Sequence, residues 1–400
     1  MHILFLTDNF PPEVNAPASR TFEHAREWVR AGARVTVITG APNFPKGSVF
    51  PGYRNRLWQR ESIQGIKVIR VWTYITANEG FVRRIADYMS YMMSASLAAL
   101  FVRKVDVVVG TSPQFFTACA GWFVGMVKRR PFVFELRDLW PESIKAVGAM
   151  SHSRAIAILE RIEWFLYRKA AHIVSVTESF RTHLVAGGIP GERITVITNG
   201  VDLANFSPRA KDPELLANLG LEGAFVAGYI GTHGLAHSLG TLLDVAAAVP
   251  QLADGRRLML LLVGDGAEKR ALQQRAARDN LAHVVFVDTV SKQDIVRYWS
   301  LLDACIVHLK RTPLFETVIP SKLFEAMGMG VPVVLGVAGE AASIVSREGC
   351  GRVVEPESVS EIATALCEIA MDRALADKLR AAGLVAARRY ERPALAARML

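Results

Sequence analysis

Cysteine is scarce in this chain. Cys119, Cys305, Cys350 and Cys367 are scattered over 400 residues without the spacing of a metal site. Three of them sit in apolar runs, so buried thiols in a reducing compartment are expected. There is no Asp-x-Asp pair, and no helix-turn-helix, zinc spacing or aromatic RNA platform, so nucleic acid is not an expected partner. The loop after the first apolar run carries Asn15-Ala16-Pro17-Ala18 where a dinucleotide fold would place G-x-G-x-x-G, which argues against a dinucleotide site there. Met1 to Thr7 has the length of one strand, so no secretion signal is expected. The longest uncharged run, Val107 to Val127, could span a bilayer by length. Its Gly110-Thr111-Ser112-Pro113-Gln114 reads instead as a loop between strand and helix. A soluble, cytoplasmic protein is the expectation.

What the chain does have is charge, unevenly placed. Residues 1–195 hold 25 Lys and Arg against 15 Asp and Glu; residues 196–400 hold 22 against 23. The whole net charge of +9 therefore belongs to the first half. A basic half joined to a neutral one points to an anionic surface or ligand.

Strand and helix signals alternate along the chain. His2 to Thr7, a helix over Ser19 to Ala31 and a strand over Arg34 to Thr39 make a βαβ unit and imply a parallel sheet. Strands follow at Ile66 to Trp72, Val105 to Val109, Pro131 to Leu136 and His172 to Val176. Thr198-Asn199-Gly200-Val201-Asp202 and Phe206-Ser207-Pro208 read as a linker. A second series then begins at Phe225, with strands at Arg257 to Val263, Val284 to Val287, Ala304 to His308 and Val331 to Leu335. The expected architecture is α/β: two Rossmann-like, doubly wound parallel-sheet domains, 1–198 and 199–385. Residues 386–400 form a helix returning to the first domain. A ligand is expected in a cleft between them.

The stretch Glu316 to Pro332 organises the second half. It reads as a loop closed by Ile319-Pro320, a short helix from about Ser321, a glycine stop and a buried strand. Leu323, Phe324 and Met327 share one face, and Glu325 points away from it. Ser321 and Lys322 at a helix start suit phosphate. Glu325 is equally readable as a surface acid near a helix start. Arg137-Asp138, after a buried strand, lie where such sheets bind ligands, or form a structural ion pair, Arg137 with Glu135 or Asp138. The segment Phe81 to Lys104 reads as a buried helix with solvated ends. The competing reading puts its apolar side on a membrane, with Arg83, Arg84, Arg103 and Lys104 meeting anionic headgroups.

Asn199-Gly200-Val201-Asp202 with Phe206-Ser207-Pro208, then Val263-Gly264-Asp265-Gly266, then Phe324-Glu325-Ala326-Met327-Gly328 through Val333 resemble, in order and spacing, family-4 glycosyltransferases of the GT-B fold. The resemblance covers nearly the whole chain. Phe10-Pro11-Pro12-Glu13, Pro42-Asn43-Phe44-Pro45, Arg137 through Ser143, Gly231-Thr232-His233-Gly234 and Ile319-Pro320-Ser321-Lys322 look like the amino-sugar transferases of bacterial O-antigen and capsule assembly, such as those moving N-acetyl-fucosamine.

That resemblance implies a retaining enzyme using a UDP-sugar, bound mainly by the second domain and without a metal. The acceptor it implies is a polyprenyl-diphosphate-linked saccharide at the inner face of the plasma membrane. It places Glu325 on the ribose hydroxyls. The family's first acid falls on Thr317, beside Glu316, and its usual Arg and Lys are replaced by Thr232, His233 and His237. Lys322 and Arg311 are then the candidates for the diphosphate. Candidate donor contacts are Glu325, Lys322, Ser321, Leu323, Gly231, Thr232, His233, Arg311, Asn15 and Ala16; candidate catalytic groups are Arg137, Asp138 and Glu316. A sugar-nucleotide epimerase of the same fold and a non-catalytic nucleotide-sugar-binding subunit are the competing functions.

Overall fold

The computed structural model describes residues 1–44, 47–76, 81–112, 114–139 and 154–400. The resembling segment from Trp140 to Ser143, Pro45 and Pro113 lie outside these residues. Two compact units emerge: Met1–Thr198 together with Arg392–Leu400, and Asn199–Glu391.

In the first unit the chain runs β1 (His2–Leu6), α1 (Ala16–Arg30), β2 (Arg34–Thr39), β3 (Trp58–Ile63), β4 (Ile66–Val71), α2 (Phe81–Leu100), β5 (Val107–Thr111), α3 (Phe115–Lys128), β6 (Phe132–Leu136), α4 (Arg154–Lys169), β7 (His172–Ser175), α5 (Glu178–Ala186) and β8 (Ile194–Val196). The second has α6 (Pro213–Asn218), β9 (Phe225–Ile230), α7 (Gly240–Ala248), β10 (Leu258–Val263), α8 (Lys269–Arg278), β11 (Val284–Val287), α9 (Ile295–Leu301), β12 (Ala304–His308), α10 (Lys322–Met329), β13 (Val333–Gly336), α11 (Glu340–Glu348), β14 (Gly351–Val353), α12 (Val359–Met371) and α13 (Arg373–Ala387). α14 (Arg392–Met399) returns to the first unit, where Trp28 Nε1 donates to the Ala396 carbonyl at 2.8 Å.

The first sheet has the order β3-β4-β2-β1-β5-β6-β7-β8 and the second β11-β10-β9-β12-β13-β14. Every pairing is parallel except β3 with β4. That antiparallel edge strand is not foreseen by the sequence pattern. Trp58-Gln-Arg-Glu-Ser-Ile is polar because an edge strand stays half in solvent. α1 starts three residues earlier than expected, because the Asn15 side chain accepts from Ala18 N–H and Pro17 is tolerated in the first turn. α2 is buried on one side only, through Tyr91, Ala95, Ala98 and Ala99; Met89, Met93 and Leu97 face solvent. The plain reading of Phe81 to Lys104 as a buried helix therefore holds for half its circumference.

A buried ion-pair network joins the elements of the first unit. Arg20, on α1, meets Glu135, on β6, at 2.9 Å, with both side chains at most 2% exposed. Arg20 also donates to the carbonyls of Thr198 at 2.7 Å and Ile197 at 2.9 Å, gripping the chain where the first unit ends. At the return, Arg392 meets Glu23 of α1 at 2.5 Å. Just inside the second unit, Val201 N–H bonds to the Tyr390 carbonyl. Both crossing segments are thus anchored on each side. Burial favours the neutral forms, yet Arg20 and Arg137 hold the Glu135 carboxyl below its ordinary range. Removing one partner leaves the other charged and dry. Arg20→Met is expected to cost about 3–5 kcal/mol in chemical denaturation, and pairing it with Glu135→Leu should recover most of that loss.

Candidate functional site

In a parallel sheet, the loops that follow the strands collect at one edge. In the second unit this brings together Gly231, Thr232 and His233 after β9, Gly264 to Gly266 after β10, the segment after β12, and the start of α10. Two backbones meet there with no room for side chains. Gly264 has φ +143°, and a Cβ on it would lie 1.9 Å from the Gly231 carbonyl oxygen. His233 N–H bonds to the Asp265 carbonyl and Glu268 N–H to the His233 carbonyl, locking the two loops.

Lys322 rises into this edge from the first turn of α10. Its Nζ lies 3.5 Å from the centre of the Tyr229 ring, and a Cβ added to Gly231 would come within 2.9 Å of it. The residue as a whole is half-buried, yet Nζ itself is sealed from solvent. Among the described residues it has no hydrogen-bond acceptor. Burial pulls its ammonium down to about 7, against the raising effect of Cys305 and Glu325.

Three imidazoles surround the pair. His237 packs 5.7 Å from Tyr229 and His233 6.0 Å from it, ring centre to ring centre. Burial, with Lys269 and Lys322, lowers His233 to about 4, and burial with Lys322 lowers His237 to about 3. His308 Nε2 accepts from Glu357 N–H, so its Nδ1 carries the proton and donates to the His237 carbonyl at 2.8 Å. All three are neutral at ordinary pH, and the Tyr229 hydroxyl donates to the Thr232 carbonyl. A sealed ammonium on a π face, bordered by neutral imidazoles and a helix start, can take up an anionic group at small reorganisation cost.

The remaining residues singled out from sequence fall in different settings. Leu323, Phe324 and Met327 are fully buried and Glu325 is half-buried, on the turn above Lys322. Ser321 precedes α10 without a side-chain cap bond. Thr232 is exposed and His233 buried. Glu316 is exposed, its backbone carbonyl pressed against Gly339 beyond β13. Arg311 lies 72% exposed, 3.8 Å from Glu355, unlike the sealed Lys322.

In the first unit, the Ser112 hydroxyl accepts from Arg137 N–H at 2.8 Å and Asp138 N–H at 3.1 Å. Arg137 Nη1 donates to the Pro17 carbonyl at 3.3 Å, next to Asn15 and Ala16. Asn15 donates to Asn9 Oδ1. Glu135 takes its short ion pair from Arg20 rather than Arg137, because α1 delivers Arg20 to the sheet edge from far away in sequence. Burial lowers Arg137 to about 10. Arg83 is exposed, Arg84 donates to the Tyr88 hydroxyl at 3.1 Å, and Arg103 and Lys104 are exposed beyond α2. Sequence reasoning missed Tyr229, His308 and Lys269. The last is buried, with Nζ donating to the Gly264 and Val287 carbonyls and pairing with Asp288. The one polar ring in a buried apolar strand, two residues before Gly231, was the available signal for Tyr229.

Two family models match the chain: "Glycosyl transferase 4-like domain" over residues 15–200 and "Glycosyl transferases group 1" over 224–372. The chain is built from two glycosyltransferase-type domains. Among curated relatives, a 2-deoxystreptamine glucosyltransferase of Streptomyces kanamyceticus is 29% identical over 54% of this chain and 56% of its own length. A GDP-mannose-dependent alpha-mannosyltransferase of Mycolicibacterium smegmatis is 23% identical over 86% of this chain and 82% of its own. The chain spans about half the length of the first curated relatives it matches, 56% and 49%. The solved structure of Anabaena HepE in complex with UDP and glucose superposes with a TM-score of 0.71 over 100% of this chain and 98% of that one, at 19% identity. That likeness is one of fold, and the fold is GT-B.

The buried lysine makes a pH signature. Its folded value of about 7 lies below the ordinary lysine range near 10.4, so between them the unfolded chain binds more protons. Stability contributed by this site must therefore rise with pH across that window, by at most about 1.4 kcal/mol per pH unit. Denaturation of wild type and Lys322→Met at several pH values should show that difference in slope between the two.

Proposed function

We propose that the protein is a retaining glycosyltransferase. It moves a sugar, an N-acetylated amino sugar, from UDP to a polyprenyl-diphosphate-linked saccharide in bacterial surface-polysaccharide assembly. It works without a metal, as a peripheral protein at the inner face of the plasma membrane. The observation that carries the reading is the sealed Lys322 ammonium, without an acceptor among the described residues, one turn below Glu325 and within the residues matched by the group 1 glycosyltransferase model. The UDP and glucose named in the HepE structure support the donor class, whereas the mycolicibacterial relative's name specifies GDP-mannose.

In this reading Glu325 accepts from the two ribose hydroxyls, and Lys322 and Ser321, at the start of α10, take the diphosphate. Gly231, Thr232 and His233 border it. The bond from the anomeric carbon to the β-phosphate oxygen breaks as the acceptor oxygen bonds to the same carbon, and the acceptor's proton passes to the departing diphosphate. Charge grows on that leaving group, so a cation placed in advance lowers the barrier. Arg137, Asp138 and Glu316 have electrostatic and positioning roles.

A panel of UDP- and GDP-sugars, scored by thermal shift and then by turnover, tests the donor. The expected result is stabilisation by UDP-linked amino sugars and consumption only with acceptor. Consumption of donor alone would indicate an epimerase instead. For the ribose contact, Glu325→Gln should weaken UDP binding by about 1.5–3 kcal/mol while the thermal midpoint holds. UDP affinity equal to wild type would remove Glu325 from the site.

A further inference from the structure

A helix at a protein surface normally turns polar residues outward. α2 and α3, which pack against each other on the first sheet, do the opposite. Along α2 the outward positions Met89, Met93 and Leu97 recur every fourth residue and are 42%, 61% and 62% exposed. Phe101, just past its end, is 74% exposed. On α3, Phe123 and Met126 add 40% and 53%. Single exposed apolar residues are ordinary, but a run of large ones on two touching helices marks an interaction surface.

Charge frames this face. Where the two helices end, Arg103, Lys104, Lys128, Arg129 and Arg130 cluster, and Lys128 Nζ ties the ends together by donating to the Leu100 and Val102 carbonyls at 3.2 and 2.8 Å. Lys104 and Arg129 adopt φ +56° and +52°, left-handed backbone that favours glycine. Cations thus stand where backbone geometry alone would favour a residue without charge. At the other end of α2, Arg83 is exposed. A two-fold pairing of this face with a second copy would set cations against cations in either direction. An anionic lipid surface complements both the apolar band and its charged ends.

We propose that the α2–α3 face is the surface on which the protein lies against anionic lipid. Met93, Leu97, Phe101 and Met126 enter the headgroup boundary, and the cations at the helix ends meet lipid phosphates. This gives the membrane part of the proposed function a location and rests on that reading for its purpose. Lipid contact is measured without donor or acceptor, so failure here leaves sugar transfer untouched, and failure of the transfer assay leaves the lipid surface untouched.

The test is co-sedimentation with phosphatidylcholine vesicles, with and without phosphatidylglycerol. Wild type should bind the anionic vesicles at low salt and release as salt screens the attraction. Lys104→Gly combined with Arg129→Gly removes two cations while relieving both left-handed positions, so the fold should be at least as stable as wild type. Its vesicle partitioning should fall roughly thirtyfold, with UDP affinity unchanged. Leu97→Ser with Phe101→Ser should weaken vesicle binding at low salt while leaving the steepness of its salt dependence unchanged. Wild type that stays in the supernatant at low salt, or a glycine pair that binds as wild type does, would overturn the proposal. So would a concentration-dependent dimer that Leu97→Ser with Phe101→Ser dissociates, since the face would then belong to a second copy.

Discussion

A lysine ammonium shut away from water, with no acceptor among the described residues, is the constraint on which the strand-end edge of the second unit depends. Burying such a group is unfavourable, and the chain tolerates it by laying Nζ on the Tyr229 ring and keeping every neighbouring imidazole neutral. The surrounding details serve that placement. Gly231 has no side chain because Nζ occupies the space a Cβ would take, and Gly264 has none because the Gly231 carbonyl does. The apolar face of α10, Leu323, Phe324 and Met327, fixes the helix to the sheet so that its first turn delivers the lysine.

The first unit uses charge differently. Arg20 and Glu135 are as dry as the Lys322 ammonium, but they pair with each other, and further donors of Arg20 clasp the chain as it leaves the unit. A buried pair of opposite charge organises structure, whereas a buried lysine without an acceptor among the described residues is a candidate binding group. His24 lies near this network and is held neutral by burial and by Arg20, Arg392 and Arg137. Its surroundings make it a packing residue of α1, set edge-on against Trp28.

Most of the architecture was legible as alternation of apolar strands with amphipathic helices, because parallel strands buried on both faces are continuous apolar runs. β2, β11 and β12 fall where periodicity put them. What escaped was decided by context. β3 is polar because it lies at an edge, and α1 begins at Ala16 because the Asn15 side chain caps it. In the site, Lys322 and Glu325 stand out beside a helix start with chemistry suited to phosphate and hydroxyl groups. Tyr229 and His308 could not, since one reads as a strand residue and the other as a strand end until the fold brings them together. The local pairing expected for Arg137 missed Arg20 for the same reason: 115 residues separate the partners of that ion pair.

The proposal that Lys322, whose ammonium is only partly retained near pH 8, pairs fully charged with an anionic diphosphate is tested most directly by calorimetry of UDP binding near pH 8 in two buffers of different ionisation enthalpy. An ammonium drawn from about 7 to a higher value by the bound diphosphate must take up a proton. The heats should then differ between buffers by an amount approaching one proton per UDP, and Lys322→Met should lose that difference. Equal heats in both buffers, or the same proton uptake in the variant, would contradict the account.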